Sequence, residues 1–231
     1  MTKSSLALIP LGAAARCLLV ACGGGSPAEI TEEPDTTVPA AFTALAEKAQ
    51  EATYRFDYKI IGLTGEVQQT GTLYQKPPNF RLDGSFGSPV VSLSTIIWLE
   101  DELIECDRPG GGEWECVVGP GQGAVDGLPD VIKNPQGFII TEGEGRTLAG
   151  QETTCFLAVS SGETTPPFPE ELELCLNQEG ALLFQKTTFR APADDAGTPG
   201  SSVDIIREAT AYSAQVDDSD FEPPVEPIAQ P

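Results

Sequence analysis

The sequence predicts a mainly β (α+β) fold, a curled antiparallel sheet or incomplete β-barrel of about nine to eleven strands wrapped round one N-terminal helix. Three observations predict it. Apolar and polar residues alternate along many short segments, glycine- and proline-rich turns separate those segments, and helical periodicity is concentrated near the N-terminus. A long meander with few helices must curl to bury its apolar face, and a helix in the concavity is one way to close it.

The first 21 residues are predicted to be an export signal. Lys3 gives a positive start, residues 6–15 form an apolar run, and small and apolar residues then lead to Cys22. This arrangement resembles the signal of bacterial lipoproteins, so we expect the mature chain to begin at a lipidated Cys22. Arg16 is a charge late in the apolar stretch and fits poorly. The alternative is an ordinary signal peptide or a loose N-terminal anchor with an incidental cysteine.

The rest of the chain divides into a tether, one domain and a tail. Residues 22–38 comprise the lipidated cysteine and a glycine-rich, acidic segment without periodicity, a flexible tether that reaches about 50 Å when fully extended. Residues 39–214 form a single β domain. Residues 215–231 form an acidic, proline-rich tail, in which Phe221 is expected to make the one anchoring contact.

Charge and composition exclude several classes of partner. The chain has 35 acidic and 13 basic side chains, and its formal net charge of −22 becomes −24 once Lys3 and Arg16 are removed with the signal. Such a surface repels nucleic acids and anionic headgroups, so contact with a membrane must come from the lipid anchor and apolar burial. Histidine is absent, which removes the commonest general base and metal ligand. We expect no cofactor and no metal.

Within the domain, residues 39–52 predict a helix, because Phe42, Leu45 and Ala49 fall on one stripe. Alternation then predicts a strand in which Tyr54, Phe56, Tyr58 and Ile60 share one face. Residues 66–76, with Leu73, and residues 79–86, with Phe80 and Leu82, predict the next two strands. The later strands are expected at residues 90–100, 102–118 (a hairpin), 138–141, 146–159, 172–176, 180–190 and 202–213. Between them, residues 119–137 are interpreted as a mobile flap or a surface loop with one or two helical turns.

Four cysteines lie in the domain, and an even number in an exported chain favours disulfides. Sequence-local pairing of Cys106 with Cys116 and of Cys155 with Cys175 is the simplest of the three possible connectivities, because each pair brackets a turn-rich loop between strand-like runs. A zinc site is the alternative, but no pair has a two-residue spacing and no histidine completes the set. Alternation along residues 172–176 places Cys175 on the face away from the leucines, and Cys155 on that same outer face.

Several segments resemble the LolA/LppX-like group of exported lipoprotein and lipid carriers, which belongs to the LolA/LolB superfamily. They are YRFDYKI at 54–60, GTLYQKPPNFRLDG at 71–84, AGQETTCF at 149–156, CLNQEGALLF at 175–184 and SDFEPP at 219–224. The resemblance implies an incomplete barrel around a helix, enclosing an apolar cavity for acyl chains. It places Arg81 where many of these carriers have an arginine, and the preferred interpretation is that Arg81 ties the sheet to a loop. The apolar pocket is then expected among Phe42, Leu45, Tyr54, Phe56, Tyr58, Ile60, Leu73, Phe80 and Leu82.

The sequence is consistent with two functions. The first is a tethered, extracytoplasmic lipoprotein that binds a lipid or acyl chain without catalysis. The second is a structural or sensory cell-envelope protein that binds another protein, whose identity the sequence leaves open. An enzyme is disfavoured: Ser160 and Ser161 have no histidine base and no nucleophile-elbow setting, the glycine clusters lack a phosphate-loop lysine, and no catalytic residue is assigned. Asp217, Asp218 and Asp220 lack the glycine and distant glutamate of a calcium loop.

Overall fold

A computed structural model of the chain describes residues 38–62, 64–86, 92–121, 128–161, 171–190 and 202–229. The predicted signal at 1–21, Cys22 and the tether up to residue 37 lie outside the described residues. Of the described helices, none is long and apolar enough to cross a membrane.

The described elements are two α-helices, two 3₁₀ turns and thirteen strands. The helices are α1 (Ala40–Glu51) and α2 (Asp130–Lys133), and the 3₁₀ turns are Pro135–Gly137 and Asp218–Phe221. The strands are β1 (Tyr54–Ile61), β2 (Val67–Lys76), β3 (Asn79–Phe86), β4 (Ser92–Trp98), β5 (Glu102–Pro109), β6 (Glu115–Pro120), β7 (Phe138–Glu142), β8 (Arg146–Leu148), β9 (Gln151–Ser160), β10 (Glu171–Asn177), β11 (Leu182–Arg190), β12 (Ser202–Ser213) and β13 (Ile228–Ala229).

All thirteen strands belong to one sheet, in the order β13-β6-β5-β4-β3-β2-β1-β12-β11-β10-β9-β7, with β8 paired to β9. Strands β1 to β6 form an antiparallel meander, and β9 to β12 form a second one. The antiparallel pairing of β1 with β12 joins the two. The fold is therefore mostly β, an open curled sheet with few helices. It has more strands than expected, because β8 and β13 are only three and two residues long, too short for periodicity to reveal.

Helix α1 packs against one face of the sheet, which we call the inner face. Phe42, Ala46 and Ala49 on the helix are buried, and the Phe42 ring meets the Phe156 ring edge to face at 5.1 Å. The apolar stripe of the sequence thus covers strands of the second meander. Buried members of this cluster are Phe42, Ala46, Ala49, Leu128, Val131, Ile132, Ile140, Phe156, Ala158, Leu172, Leu174, Leu176 and Leu182.

The predicted flap contributes to this same core. Leu128, Val131 and Ile132 are buried in the cluster around α1, and α2 contacts α1 directly. Of residues 119–137, residues 128–132 are therefore packed against the core in place of a surface loop, and α2 is one of the expected helical turns. Residues 122–127 lie outside the described residues.

The two cysteine pairs form the predicted disulfides, Cys106–Cys116 and Cys155–Cys175. In each pair the two residues stand directly opposite one another on neighbouring antiparallel strands. Cys155 and Cys175 lie on the face away from the leucines, as expected. This outer face is buried there as well, since both cysteines share a core cluster with Leu148 and Phe184. The reason is that residues 146–159 form a hairpin of β8 and β9 and not the single strand expected from the sequence.

The acidic tail is fastened to the outer face of the first meander. Phe221 is buried there among Ile97, Ile104 and the Cys106–Cys116 disulfide, which confirms its anchoring contact. The tail also adds β13 as a parallel edge strand beside β6. These contacts leave the tail's acidic side chains at the surface while its backbone extends the sheet.

Arg81 holds the tail in place. Its Nη1 donates hydrogen bonds to the carbonyls of Asp220 and Glu222 at 2.8 and 3.0 Å, and its Nε donates to Asp83 at 2.8 Å. The guanidinium also lies over the Tyr74 ring, 5.5 Å from its centre. The interpretation of Arg81 as a tie between the sheet and a loop is therefore confirmed.

Candidate functional site

The pairing register shows which side chains share the inner face. Residues directly opposite one another on neighbouring strands point to the same side of a sheet. Starting from the buried Leu174 of β10, one row of opposed residues crosses five further strands. The row runs Leu174, Gln185, Arg207, Ile60, Gln69 and Phe86.

One end of the inner face is tightly packed. Tyr54 donates a hydrogen bond to Oε1 of Gln75 at 3.0 Å, and Nε2 of Gln75 donates to the carbonyl of Ala49 at 3.0 Å. This pair of hydrogen bonds connects β1 and β2 to the last turn of α1 and satisfies one of its free carbonyls. Phe56, Leu73 and Phe80 are buried beside it. This packed end fixes the helix and offers no open surface.

The other end of the inner face carries apolar side chains that the described residues leave partly open. Phe86 at the end of β3 is 41% exposed, and Ile205 near the start of β12 is 42% exposed. Ile60, Phe189 and Val203 are half-buried on the same side, with Val203 opposite Phe189. We call these five residues the open apolar row.

Tyr58 separates the packed end from the open apolar row. Its hydroxyl donates to the carbonyl of Asp83 at 2.9 Å and accepts a hydrogen bond from Nε2 of Gln69 at 3.0 Å. Gly71 makes room for the ring, because a Cβ there would lie 2.7 Å from the tyrosine oxygen. Burial, reinforced by the Asp83 carboxylate, raises the pKa of Tyr58 to about 12 despite the opposing effect of Arg207. The phenol is therefore a neutral, fixed side chain at physiological pH.

Among the described residues, Arg207 is the cation on the inner face of the sheet. It is partly buried, and its Nη2 donates to Oε1 of Gln185 at 2.9 Å, while Nε2 of Gln185 donates to Thr187 at 3.1 Å. Burial lowers the pKa of Arg207, an effect that Tyr54 and Tyr58 partly offset, and an arginine keeps its charge under such shifts. Sequence reasoning missed this residue. Arg207 is two residues from Ile205, a spacing that places both on one face of a strand. The neighbouring Ile206 made both faces of that strand look apolar, so the spacing was not distinctive.

Three cavities lined by described residues lie mainly on the outer face. They measure about 180, 490 and 220 Å³. The first is bounded by Arg55, Asp57 and Tyr74, and the third by Arg81, Leu93 and Trp114. The second lies over Gly71, between β1 and β2. Their linings mix charged, hydroxyl and aromatic groups, which suits water or small polar molecules better than an acyl chain.

The nine residues expected to form an apolar pocket fall in two places. Phe42 and Leu45 belong to the cluster under α1. The others, Tyr54, Phe56, Tyr58, Ile60, Leu73, Phe80 and Leu82, belong to the cluster that continues along the inner face of β1 to β3. Of these nine, Ile60 belongs to the open apolar row as well. The assignment of a ligand pocket to this set stays a prediction.

The described residues contain no group of three or more histidine, cysteine or carboxylate side chains placed to hold a metal ion. The cysteines among them are joined in the two disulfides. Disulfides persist in oxidising compartments, so the two bonds indicate an extracytoplasmic location.

With the geometry in view, the chain can be compared with known proteins. No family model matches it, and no curated protein does. Among solved structures it is similar to the Pseudomonas aeruginosa MucA/MucB complex, with 12% identity, a TM-score of 0.39, and 80% of this chain and 61% of that one covered. The chain thus spans about three fifths of the MucB structures that it matches.

The LolA group is also among the similar structures. A LolA superfamily protein from Nitrosomonas europaea matches with 9% identity and a TM-score of 0.33, over 81% of this chain and 99% of that one. An outer membrane lipoprotein-sorting protein domain from Vibrio parahaemolyticus matches with 8% identity and a TM-score of 0.24, over 78% and 94%. The chain is similar to LolA-like proteins. These matches concern the general course of the chain.

Proposed function

We propose that this chain is an extracytoplasmic lipoprotein, anchored to a bacterial membrane through Cys22, that binds a lipid or acyl chain on the inner face of its sheet without catalysis. The observation that carries the proposal is the open apolar row. Phe86 and Ile205 are more than two fifths exposed, yet they lie on the same face as the fully buried Phe42 and Phe156. Apolar side chains left open beside a core are a candidate lining for an apolar ligand.

The energetics favour an acyl ligand. Burying a 16-carbon chain at about 0.8 kcal/mol per methylene contributes about 12 kcal/mol before ordering costs are subtracted. Capture therefore requires only apolar surface, which the row provides.

The lipid anchor at Cys22 would hold the binding site near a membrane. A tether that reaches about 50 Å keeps the domain close to the membrane surface that supplies acyl chains. The acidic surface opposes direct adsorption to anionic headgroups, so the anchor and the apolar row supply the contact with lipid. We infer that the domain takes its ligand from, or presents it to, the membrane to which it is attached.

A second candidate function is binding of another protein at the edge of the sheet. The edge strand β13 presents Ile228, whose exposed fraction is 73%. An exposed strand edge can accept a further strand from a partner chain. A structural or sensory envelope protein would use this edge and leave the open apolar row empty.

Binding of a fluorescent fatty acid to the purified mature chain tests the first function. We expect saturable binding that Ile205→Asn weakens at least about tenfold, because a polar amide then replaces apolar surface in contact with the ligand. Val67→Asn is the matched control, since Val67 is a β-branched strand residue on the outer face, 55% exposed, and its replacement should leave binding unchanged. Mass spectrometry of an organic extract of the protein should also find a bound lipid. An extract without lipid from protein that also ignores the fatty acid would overturn the proposal.

A further inference from the structure

Arg207 is a partly buried cation whose side chain has a neutral partner. Its guanidinium donates to the amide oxygen of Gln185, and no carboxylate of the described residues lies within salt-bridge distance of it. Two other strand arginines are paired with acids, Arg81 with Asp83 and Arg146 with Glu173. The chain has 35 acidic side chains, yet none of those in the described residues pairs with Arg207 on the inner face.

This arrangement is costly in the absence of a ligand. Withdrawing an ion from water without a counter-ion is unfavourable, which explains why buried charges are normally paired. Gln185 accepts one of the five donor hydrogens of the guanidinium and is itself held by Thr187. Donors of the arginine therefore remain for an anion.

The neighbours of Arg207 define the rest of such a ligand. Across the strand pair it faces Ile60, and two residues away on β12 lies Ile205. Beyond Ile60, the line of opposed residues continues through Gln69 to Phe86. A cation at one point and apolar side chains beside it match an amphiphile with one negative group. Tyr58, held neutral by its raised pKa, adds no charge to compete with that group.

We propose that Arg207 is the recognition site for the negatively charged head group, a carboxylate or a phosphate, of an acyl ligand bound along the open apolar row. The inference rests on the proposed function, since it assigns the polar end of the ligand whose chain the row binds. The planar guanidinium suits both head groups, because each offers two oxygens to its paired donors.

Competition of three ligands with the fluorescent fatty acid tests this site. Palmitate, hexadecyl phosphate and hexadecanol share one 16-carbon chain and differ in the head group. We expect at least one of the two anions to bind about tenfold or more tighter than the alcohol, and Arg207→Gln to abolish that advantage while changing hexadecanol binding less than about twofold. Whichever anion loses more affinity identifies the source, a free fatty acid or a phosphorylated lipid.

Two controls separate binding from folding. Arg55→Gln removes an exposed arginine from the outer face of β1 and should leave all three affinities unchanged. The ligand-free Arg207→Gln protein should melt no lower than its parent, because the variant removes an uncompensated charge. If the parent binds the three ligands equally, or if Arg207→Gln weakens all three equally, the role of Arg207 is overturned but the proposed function is not. Failure of the parent to bind any of them overturns the proposed function as well.

Discussion

Replacing Cys155 and Cys175 together with alanine is expected to lower the free energy of unfolding by about 3 to 5 kcal/mol. The disulfide closes a loop with a sequence separation of 20, and the loss of that restraint on the unfolded chain alone costs about 3 kcal/mol. The two sulfur atoms are also fully buried in the cluster that includes Leu148 and Phe184, so their removal leaves a cavity. Urea denaturation with linear extrapolation measures the change.

The Cys106–Cys116 disulfide provides the comparison. Its sequence separation is 10, so removing it should cost about 0.6 kcal/mol less in chain entropy than removing the other. We therefore expect the variant without Cys155–Cys175 to unfold at the lower urea concentration. A variant without Cys155–Cys175 that is as stable as the parent would contradict the structural role given to this disulfide.

Gly180→Ala is expected to destabilise the domain by about 3 kcal/mol and to loosen α1 from the sheet. Gly180 has a φ of +90° in the turn between β10 and β11, a conformation that costs a side-chain-bearing residue about 1 to 2 kcal/mol. A Cβ at this position would also lie 2.6 Å from the backbone nitrogen of Ala49 and 2.7 Å from the carbonyl carbon of Lys48. Helix and turn must therefore separate, which exposes part of the cluster around Phe42.

Gly150→Ala is the matched control, because alanine there has the unfavourable positive φ but no steric clash. Gly150 has a φ of +77° in the turn between β8 and β9, but a Cβ at this position would have no atom within 4 Å. It should cost about 1 to 2 kcal/mol, the conformational part alone. Equal losses of stability in the two alanine variants would contradict the close contact between Gly180 and the last turn of α1.

Sequence pattern predicted the strands and cysteine pairs because both depend on local order. Alternation assigned Tyr54, Phe56 and Tyr58 to one face, and the loop spacing of the cysteines placed each pair across a hairpin. The hairpin of β8 and β9 was missed since its turn is Ala149-Gly150, with Ala149 at a φ of +47°, and an alanine there gives no turn signal. The packing of α2 on α1 depends on contacts between distant segments, which periodicity does not encode.

The candidate site was predicted only in part. Ile60 was expected on the apolar face and lies in the open apolar row, whereas Phe86 and Ile205 are distinguished from core residues only by their exposure in the folded chain. Arg207 was missed because its importance comes from the absence of a carboxylate beside it among the described residues. A tie between Arg81 and a loop was expected from the family resemblance, but the tail as its partner, with the carbonyls at 220 and 222, was not.

Photo-crosslinking in intact bacteria tests the central claim, binding of an acyl chain at the inner face, most directly. A benzophenone side chain placed at position 205 should form an adduct with lipid on irradiation, and the same group at position 67 of the outer face should form far less. Mass spectrometry of the purified adducts reads the result. A single protein adduct at position 205, or no difference in lipid adducts between the two positions, would contradict the account.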